Sequence, residues 1–458
     1  AGAAGVAGAA GAAGAGSGYG SPGMGSGADP PAQDLHGGAE AEDIRPPEFY
    51  VRHESVFEQL ESPAIGQPPP VRLLDSDWLL RRADLVTAAS TDAERAALAL
   101  PCRQMLERSH PDAFLSAATL RSLPRNGTGA LPAGAVSHAW ITPDHPDPYG
   151  YQLVRLAATI RRAQEGGLPR QQEGWDTTHT TTKGYQKLAP RIGIFWDWGS
   201  LFQSKGTPEG RTAQQQASFA QALGSMQLWY VHQRLCAFLV TALPPNCTAP
   251  GYDERGWPTV ERAWAMVAKP NAVSCWPMIY DVASADEASR AAPMHPDRLQ
   301  AELETKRFTS PKADRPLVLK LYRETLLSIL GGADSLDFNF LGGGAGGGQQ
   351  LAEVLPLCAR ARNVWLMFNA IDDGGCAAIA TALTQGALPS CERIAFAGNQ
   401  IRDGGCESLA RAIRGGALPS LQYLSFHRDG AENAAGEDAR VELRAACSSR
   451  RAGIGCSA

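Results

Sequence analysis

The sequence predicts an α/β protein: a parallel sheet with flanking helices over residues 131–330, a short α/β solenoid over 331–458, and a disordered low-complexity tail over 1–45. Three observations predict it. Short apolar strands alternate with longer amphipathic helices through the middle of the chain, which is the pattern of a parallel sheet. Asn369 and Asn399 stand thirty residues apart, and the strings DGGC (373–376, 403–406) and GALPS (386–390, 416–420) recur at the same offset. The first residues, AGAAGVAGAAGAAGAG, offer no aliphatic face to offset the cost of ordering, and Gly every two or three positions defeats an alanine helix.

Residues 46–130 read as a polar, helical lead-in and linker. GQPPP at 66–70 acts as a spacer, and Thr91 with Glu94 makes a capping box for a helix that Pro101 ends or kinks. Nothing in this stretch reads as chemistry. GAVSHAWI (134–141) is the first strand, and 149–163 is a helix with apolar residues at 153, 156, 157 and 160. RIGIFWDW (191–198) is the second strand, 214–234 the second helix and LCAFLVTAL (235–243) the third strand. Trp257-Pro258 opens a third helix, since the fixed proline angle suits a helix start. SCWPMIYDV (274–282) is an edge strand because Pro277 cannot donate to a ladder, and 317–330 is the last helix before the repeats.

Each repeat is one strand, an Asn-containing turn and one helix, so a unit cannot bury its own apolar face and must stack on its neighbours. Val364/Ile394/Leu424 and Leu366/Phe396/Phe426 keep the register; Asn339 extends it backward and Asp429 forward. A recurrent Asn suits a ladder in which each side chain satisfies the backbone of the turn. Cys376 and Cys406 read as small buried packing residues. The pattern N-x-I-x-D-x-G, an amphipathic helix and G-A-L-P-S resembles the ribonuclease-inhibitor type of leucine-rich repeat over about 120 residues. With about four strands, and GGGAGGG (342–348) in place of the first turn, the array is expected to dock on the α/β domain.

Composition narrows the function. With 42 Lys+Arg against 47 Asp+Glu, a net charge of -5 gives no basic field to draw nucleic acid or anionic lipid. The longest apolar run, 235–243, is about half the roughly 20 residues that span a bilayer, so no membrane partner is expected. Ten Cys occur without CxxC or zinc spacing, so a reduced compartment and a cytoplasmic location are expected. The chain starts on Ala rather than Met, which leaves its natural N-terminus and any targeting signal open. No GxxxxGK[ST] nucleotide-binding motif is present, and the sequons at Asn126 and Asn246 carry no meaning without a secretory signal.

In parallel α/β sheets ligands bind beyond the carboxyl ends of the strands. Ser137, His138 and Trp140 close the first strand there, Asp197 and Trp198 close the second, and Glu261 lies in the first turn of the helix after the third. SHAW, WDWGSLFQ, LGSMQLWYVHQ and RGWPTVE, in that order, resemble a diverged TIR-like domain related to fungal heterokaryon-incompatibility domains, over roughly 131–270. In that family a WCxxEL segment carries the Glu that cleaves NAD. The resemblance implies that Trp257 takes the aromatic position, Glu261 the catalytic carboxylate, and NAD the place of a substrate rather than a bound cofactor. Pro258 stands in place of the family's Cys, Arg262 in place of its Leu, and GSLFQSKGTPEG replaces its glycine-bearing loop. A carboxylate beside the anomeric carbon would stabilise oxocarbenium charge, Trp140 or Trp198 would stack on a base, and Arg255 would pair with the pyrophosphate.

Plainer explanations exist for the same residues. A helix dipole favours Glu in a first turn, and Asp197 suits a turn cap. The cluster His138, Asp144, His145 and Asp147 lacks a recognised ligand spacing and reads as a rigid loop, so no metal is expected. The expectation is a sensor or signalling protein whose repeats bind a protein partner. Its α/β domain gives the output, either by NAD cleavage or by self-association; the alternative is an interaction scaffold without enzymatic activity.

Overall fold

The structure is a computed structural model that describes residues 44–125, 129–165, 188–206, 209–268, 279–282, 290–341, 346–427, 432–450 and 454–458. Expectations for the tail up to residue 43, Asn126, the strand portion 274–278, most of the glycine run at 342–348, and Asp429 lie outside the described residues. The chain is a mixed α/β protein with two sheets dominated by parallel pairing.

The elements follow in chain order. The first are α1 (His53–Leu60), β1 (Leu73–Asp75), α2 (Ser76–Ala88), α3 (Asp92–Leu98), α4 (Arg103–Ser109), β2 (Phe114–Leu115) and α5 (Ala117–Ser122). Next come β3 (Ala133–His138), α6 (Tyr151–Glu165), β4 (Gly193–Phe195), α7 (Asp197–Ser200), α8 (Ala213–Leu223), α9 (Met226–Val231), β5 (Cys236–Val240), α10 (Gly256–Ala268) and β6 (Ile279–Asp281). Helices α11 (Pro296–Glu304) and α12 (Pro311–Gly332) lead to the repeats: β7 (Ser335–Asp337), α13 (Gly347–Val354), β8 (Asn363–Trp365), α14 (Asp373–Thr384), β9 (Arg393–Ala395), α15 (Asp403–Arg414), β10 (Tyr423–Ser425), α16 (Glu437–Arg450) and β11 (Gly455–Ser457).

The first sheet runs β2-β1-β4-β3-β5-β6, with β3 to β6 parallel and β1 antiparallel to both its neighbours. Two strands of this sheet therefore come from 46–130, which is more than a helical lead-in. They escape a periodicity reading because they are three and two residues long. The GQPPP run is not a free spacer either: the buried Arg103 guanidinium donates to Pro69 O (2.9 Å), Pro70 O (3.0 Å) and Ser200 O (3.1 Å). Thr91 and Glu94 form the expected capping box. The expected helix over 214–234 is broken into α8 and α9 at Gly224, and β6 is an edge strand as Pro277 suggested.

Alternation along β3 sends Val136 and His138 toward one face, where α2 and α6 pack, and Ala135 and Ser137 toward the other, where α9 and α10 pack. The second face continues without a break through Val318, Leu326 and Leu330 of α12 into Leu336, Val364, Ile394 and Leu424 of the repeats. The repeats thus share a core with the α/β body. Their strands form a parallel sheet, order β11-β10-β9-β8-β7, in which Leu336, Val364, Ile394 and Leu424 stand in register.

Candidate functional site

The ladder of the repeats comes first because it fixes the strand face. Asn339 Oδ1 accepts from Met367 N (2.8 Å), and Asn369 accepts from Leu341 N (2.7 Å) while donating to Phe338 O (2.6 Å). Asn399 makes four bonds: its Oδ1 accepts from Asn369 N (2.8 Å) and Ile371 N (3.1 Å), and its Nδ2 donates to Leu366 O (2.8 Å) and Phe396 O (2.7 Å). Asn433 makes the next rung among the described residues, donating to Phe396 O (3.0 Å) and Phe426 O (2.6 Å), while the expected Asp429 lies outside them. The interval from Asn399 to Asn433 is four residues longer than the repeat, which hid this rung from an offset of thirty.

A second ladder was missed altogether. The Asp of DGGC reaches forward one unit: Asp373 Oδ1 accepts from Arg402 N (2.7 Å) and Gly405 N (2.9 Å), and Asp403 Oδ1 accepts from Gly436 N (2.6 Å). Helix α15, whose own N-cap Arg402 supplies no side-chain cap, is thereby capped from α14. The recurrence of DGGC was the signal.

The outward positions of the strands carry Asn363 and Trp365 on β8, Arg393 on β9 and Tyr423 on β10, with Arg393 exposed and Tyr423 40 % exposed. Where the strands turn, Phe340 and Phe368 stack with ring centroids 4.6 Å apart, both at left-handed φ (55° and 59°). The next unit has Gly398 there (φ 72°), and a Cβ on it would lie 2.4 Å from the Phe368 ring, so only Gly fits.

In the α/β body, Ser137 and Glu261 do meet at the carboxyl end of β3. Ser137 Oγ donates to Glu261 Oε2 at 2.6 Å and lies 2.6 Å from Tyr252 Oη, which in turn is 3.2 Å from Pro258 O. Glu261 is the sixth residue of α10, not a first-turn residue as expected, so the helix dipole is a weak reason for its presence. It is fully buried, and burial raises its carboxyl above the ordinary value.

His138 and Asp197 meet on the opposite face. Gln152 donates to Ala139 O (2.7 Å), which turns its Oε1 toward His138 Nδ1 (2.9 Å) and fixes that nitrogen as a donor. His138 Nε2 lies 2.9 Å from Asp197 Oδ1, and Trp140 Nε1 donates to Asp197 Oδ2 (3.3 Å). Burial alone would raise the Asp197 carboxyl, but the His138 ring and the Trp198 N–H hold it below its ordinary value. Asp197 and Trp198 belong to the short α7 rather than to the end of β4.

The expected binding residues are therefore held by the protein itself. Trp198 donates to Leu100 O (2.8 Å) and meets Trp140 edge to face; Arg255 donates to Trp140 O (2.5 Å); Trp257 is buried in the core. A recess lined by Trp140, Arg255, Trp257, Pro258 and Phe308 has a volume of ≈ 10 Å³, about one water. His145 bonds Leu100 O and Asp144 pairs with Lys205, so this loop is tied to its neighbours. Among the described residues no group of three His, Cys, Asp or Glu is placed to hold a metal, and no helix is long and apolar enough to cross a membrane. Tyr252, Tyr230 and Gln152 complete these networks and were not foreseen, since nothing local to them signals the partners.

No family model matches the chain, and no curated protein matches it. Among solved structures, a similar chain is "Leiomodin-1 Actin-Binding Site 2 (ABS2)", at 19% identity and a TM-score of 0.21, covering 24% of this chain and 62% of that one. The present chain thus spans less than two thirds of that chain's length, and a likeness of this size carries no argument about fold or function.

Proposed function

We propose that the chain is an intracellular signalling protein that works by association: ribonuclease-inhibitor-type leucine-rich repeats bind a protein partner on their strand face, and a TIR-like α/β domain gives the output by protein contact. The observation that carries this is the strand face, where Trp365, Arg393 and Tyr423 stand on three adjacent strands. Trp, Tyr and Arg are the residue types that dominate protein–protein binding energy. The enclosure of Glu261 supports the associative output over an enzymatic one. A carboxylate meant for an anomeric carbon must meet substrate, whereas Glu261 is buried and bonded to Ser137.

A photo-crosslinking residue at position 393 or 423, compared with one at the exposed helix position Val441, tests the partner surface in native cell extract. Protein adducts confined to 393 and 423 are expected. Adducts of equal yield from all three positions, or none from the strand face, would refute it. NAD cleavage is the second reading, favoured by one observation: Glu261 and Ser137 meet at the carboxyl end of a parallel strand.

A further inference from the structure

Where the α/β body meets the first repeat strand, the chain forms a cleft of ≈ 440 Å³. Its walls come from both parts: Val51 after the short helix Pro47–Tyr50, Val267 at the end of α10, Leu330 and Ala333 at the end of α12, and Leu336 and Phe338 along β7 and just beyond it. These side chains are apolar, and the volume lies within the roughly 300–1,000 Å³ of small-molecule pockets. Arg290 lines the same cleft although it is only 4 % exposed. Its Nε donates to Met266 O (2.9 Å) and its Nη2 to Val267 O (2.8 Å), which satisfies carbonyls that the end of α10 leaves open. Nη1 donates to Asp337 O (2.9 Å), and the guanidinium lies 5.6 Å from the Phe338 ring centroid. Capping α10 accounts for two of these bonds, but not for a buried charge beside an apolar cleft. A guanidinium has five N–H groups and these carbonyls take one from each nitrogen, so each terminal nitrogen keeps an N–H. Among the described residues no carboxylate pairs with it: Asp337, the charge that acts on it, is exposed and accepts from Asn339 N (3.0 Å). Burial pulls the Arg290 guanidinium down to about 10, so it stays protonated at neutral pH.

We propose that this cleft binds a small carboxylic acid with an apolar body, as its monoanion, with the carboxylate on Arg290 and the hydrocarbon between α12 and β7. A buried charge is ordinarily compensated by an opposite one, and a carboxylate that takes the remaining N–H groups does so through charge-assisted bonds. One guanidinium compensates one negative charge. At the rim Glu48 and Asp337 are exposed beside a single Arg52, so a second negative charge, as on a phosphate monoester, meets net repulsion. A carboxylate therefore fits the cleft better than a phosphate. The apolar walls take the hydrocarbon out of water, and the ion pair discriminates against neutral and cationic molecules of the same length. Helices α10 and α12 belong to the body and β7 to the repeats, so the ligand touches both and stabilises their junction by mass action.

The test uses the full chain with decanoate, below its micellar concentration, beside decanol and decylamine of the same chain length. Titration calorimetry should show a single saturable site for decanoate, with the alcohol and the amine weaker by about tenfold or more. A decanoate carrying a diazirine at its far end should mark the native chain within 47–52 or 329–338, a readout that needs no variant to fold. Ala333→Trp fills the cleft and should weaken decanoate by about tenfold or more. Arg290→Gln keeps donors for the carbonyls but removes the charge; it should weaken decanoate by about tenfold and leave decanol unchanged. Equal affinity for decanoate and decanol would overturn the role of Arg290. Adducts outside these segments, or no saturable binding of decanoate, would overturn the site.

Discussion

Asn399→Ala is the sharpest probe of the repeat ladder. It removes four hydrogen bonds at a residue 6 % exposed. Phe396 O keeps Asn433 as a donor, whereas the Asn369 and Ile371 amides and Leu366 O, all on buried residues, lose the Asn399 side chain. Each buried group left unpaired costs about 1–3 kcal/mol, and partial relaxation keeps the sum near the lower end, so a loss of about 4 kcal/mol is expected. Asn339→Ala removes the acceptor of Met367 N at a half-buried rung, where a group that loses its partner can reach water, and should cost less, about 1 kcal/mol for that bond. Urea unfolding followed by circular dichroism measures both. Equal effects, or a loss below about 1 kcal/mol for Asn399→Ala, would refute the claim that the Asn side chains carry the turns.

Other outcomes follow from the buried carboxyls and the tight turn. Asp147 is buried and titrates at about 6, chiefly because burial penalises its charge. Its folded value lies above its unfolded one, so the folded state holds the extra proton and stability falls as pH rises from about 4 to 6, by at most about 3 kcal/mol. Asp147→Asn, which can still accept from Leu153 N, should raise the melting temperature at pH 7.5 and leave it unchanged near pH 4; no gain at pH 7.5 would contradict this. Gly398→Val must move the Phe368 ring and adopt a left-handed backbone, and should lower stability by about 2 kcal/mol or more; a neutral result in thermal unfolding would show the turn to be adaptable. Arg103→Met removes the donor to Pro69, Pro70 and Ser200 and should speed proteolysis at 61–70; an unchanged cleavage rate would show that the Pro run holds itself.

Much of the architecture was legible because it rests on local periodicity. The strands at 134–141 and 235–243 and the helix at 149–163 declare themselves by apolar spacing, and the thirty-residue offset placed the Asn rungs at 339, 369 and 399. Strands β1 and β2 were not legible, since two or three residues carry no period and their antiparallel pairing is set by the tertiary fold. Asn433 was hidden by extra chain between rungs. The sequence placed Ser137 and Glu261 at the same end of the sheet but said nothing of their enclosure. That depends on Tyr252, which arrives from a turn and closes over Ser137. The alternation of β3 also sends Ser137 and His138 to opposite faces, so residues adjacent in sequence serve two separate networks.

Glu261 separates the associative account from an enzymatic one. Its carboxyl is raised by burial, so ionising it costs stability as pH rises through the folded value, and Glu261→Gln should fold with equal or greater stability at pH 7.5. The direct measurement is nicotinamide release from NAD by the full chain and by Glu261→Gln, at concentrations high enough for self-association, with melting temperatures taken alongside. No release from either protein, with the variant at least as stable, is the expected result. Release by the native chain that disappears in a folded Glu261→Gln would contradict the associative reading and make Glu261 a catalytic residue.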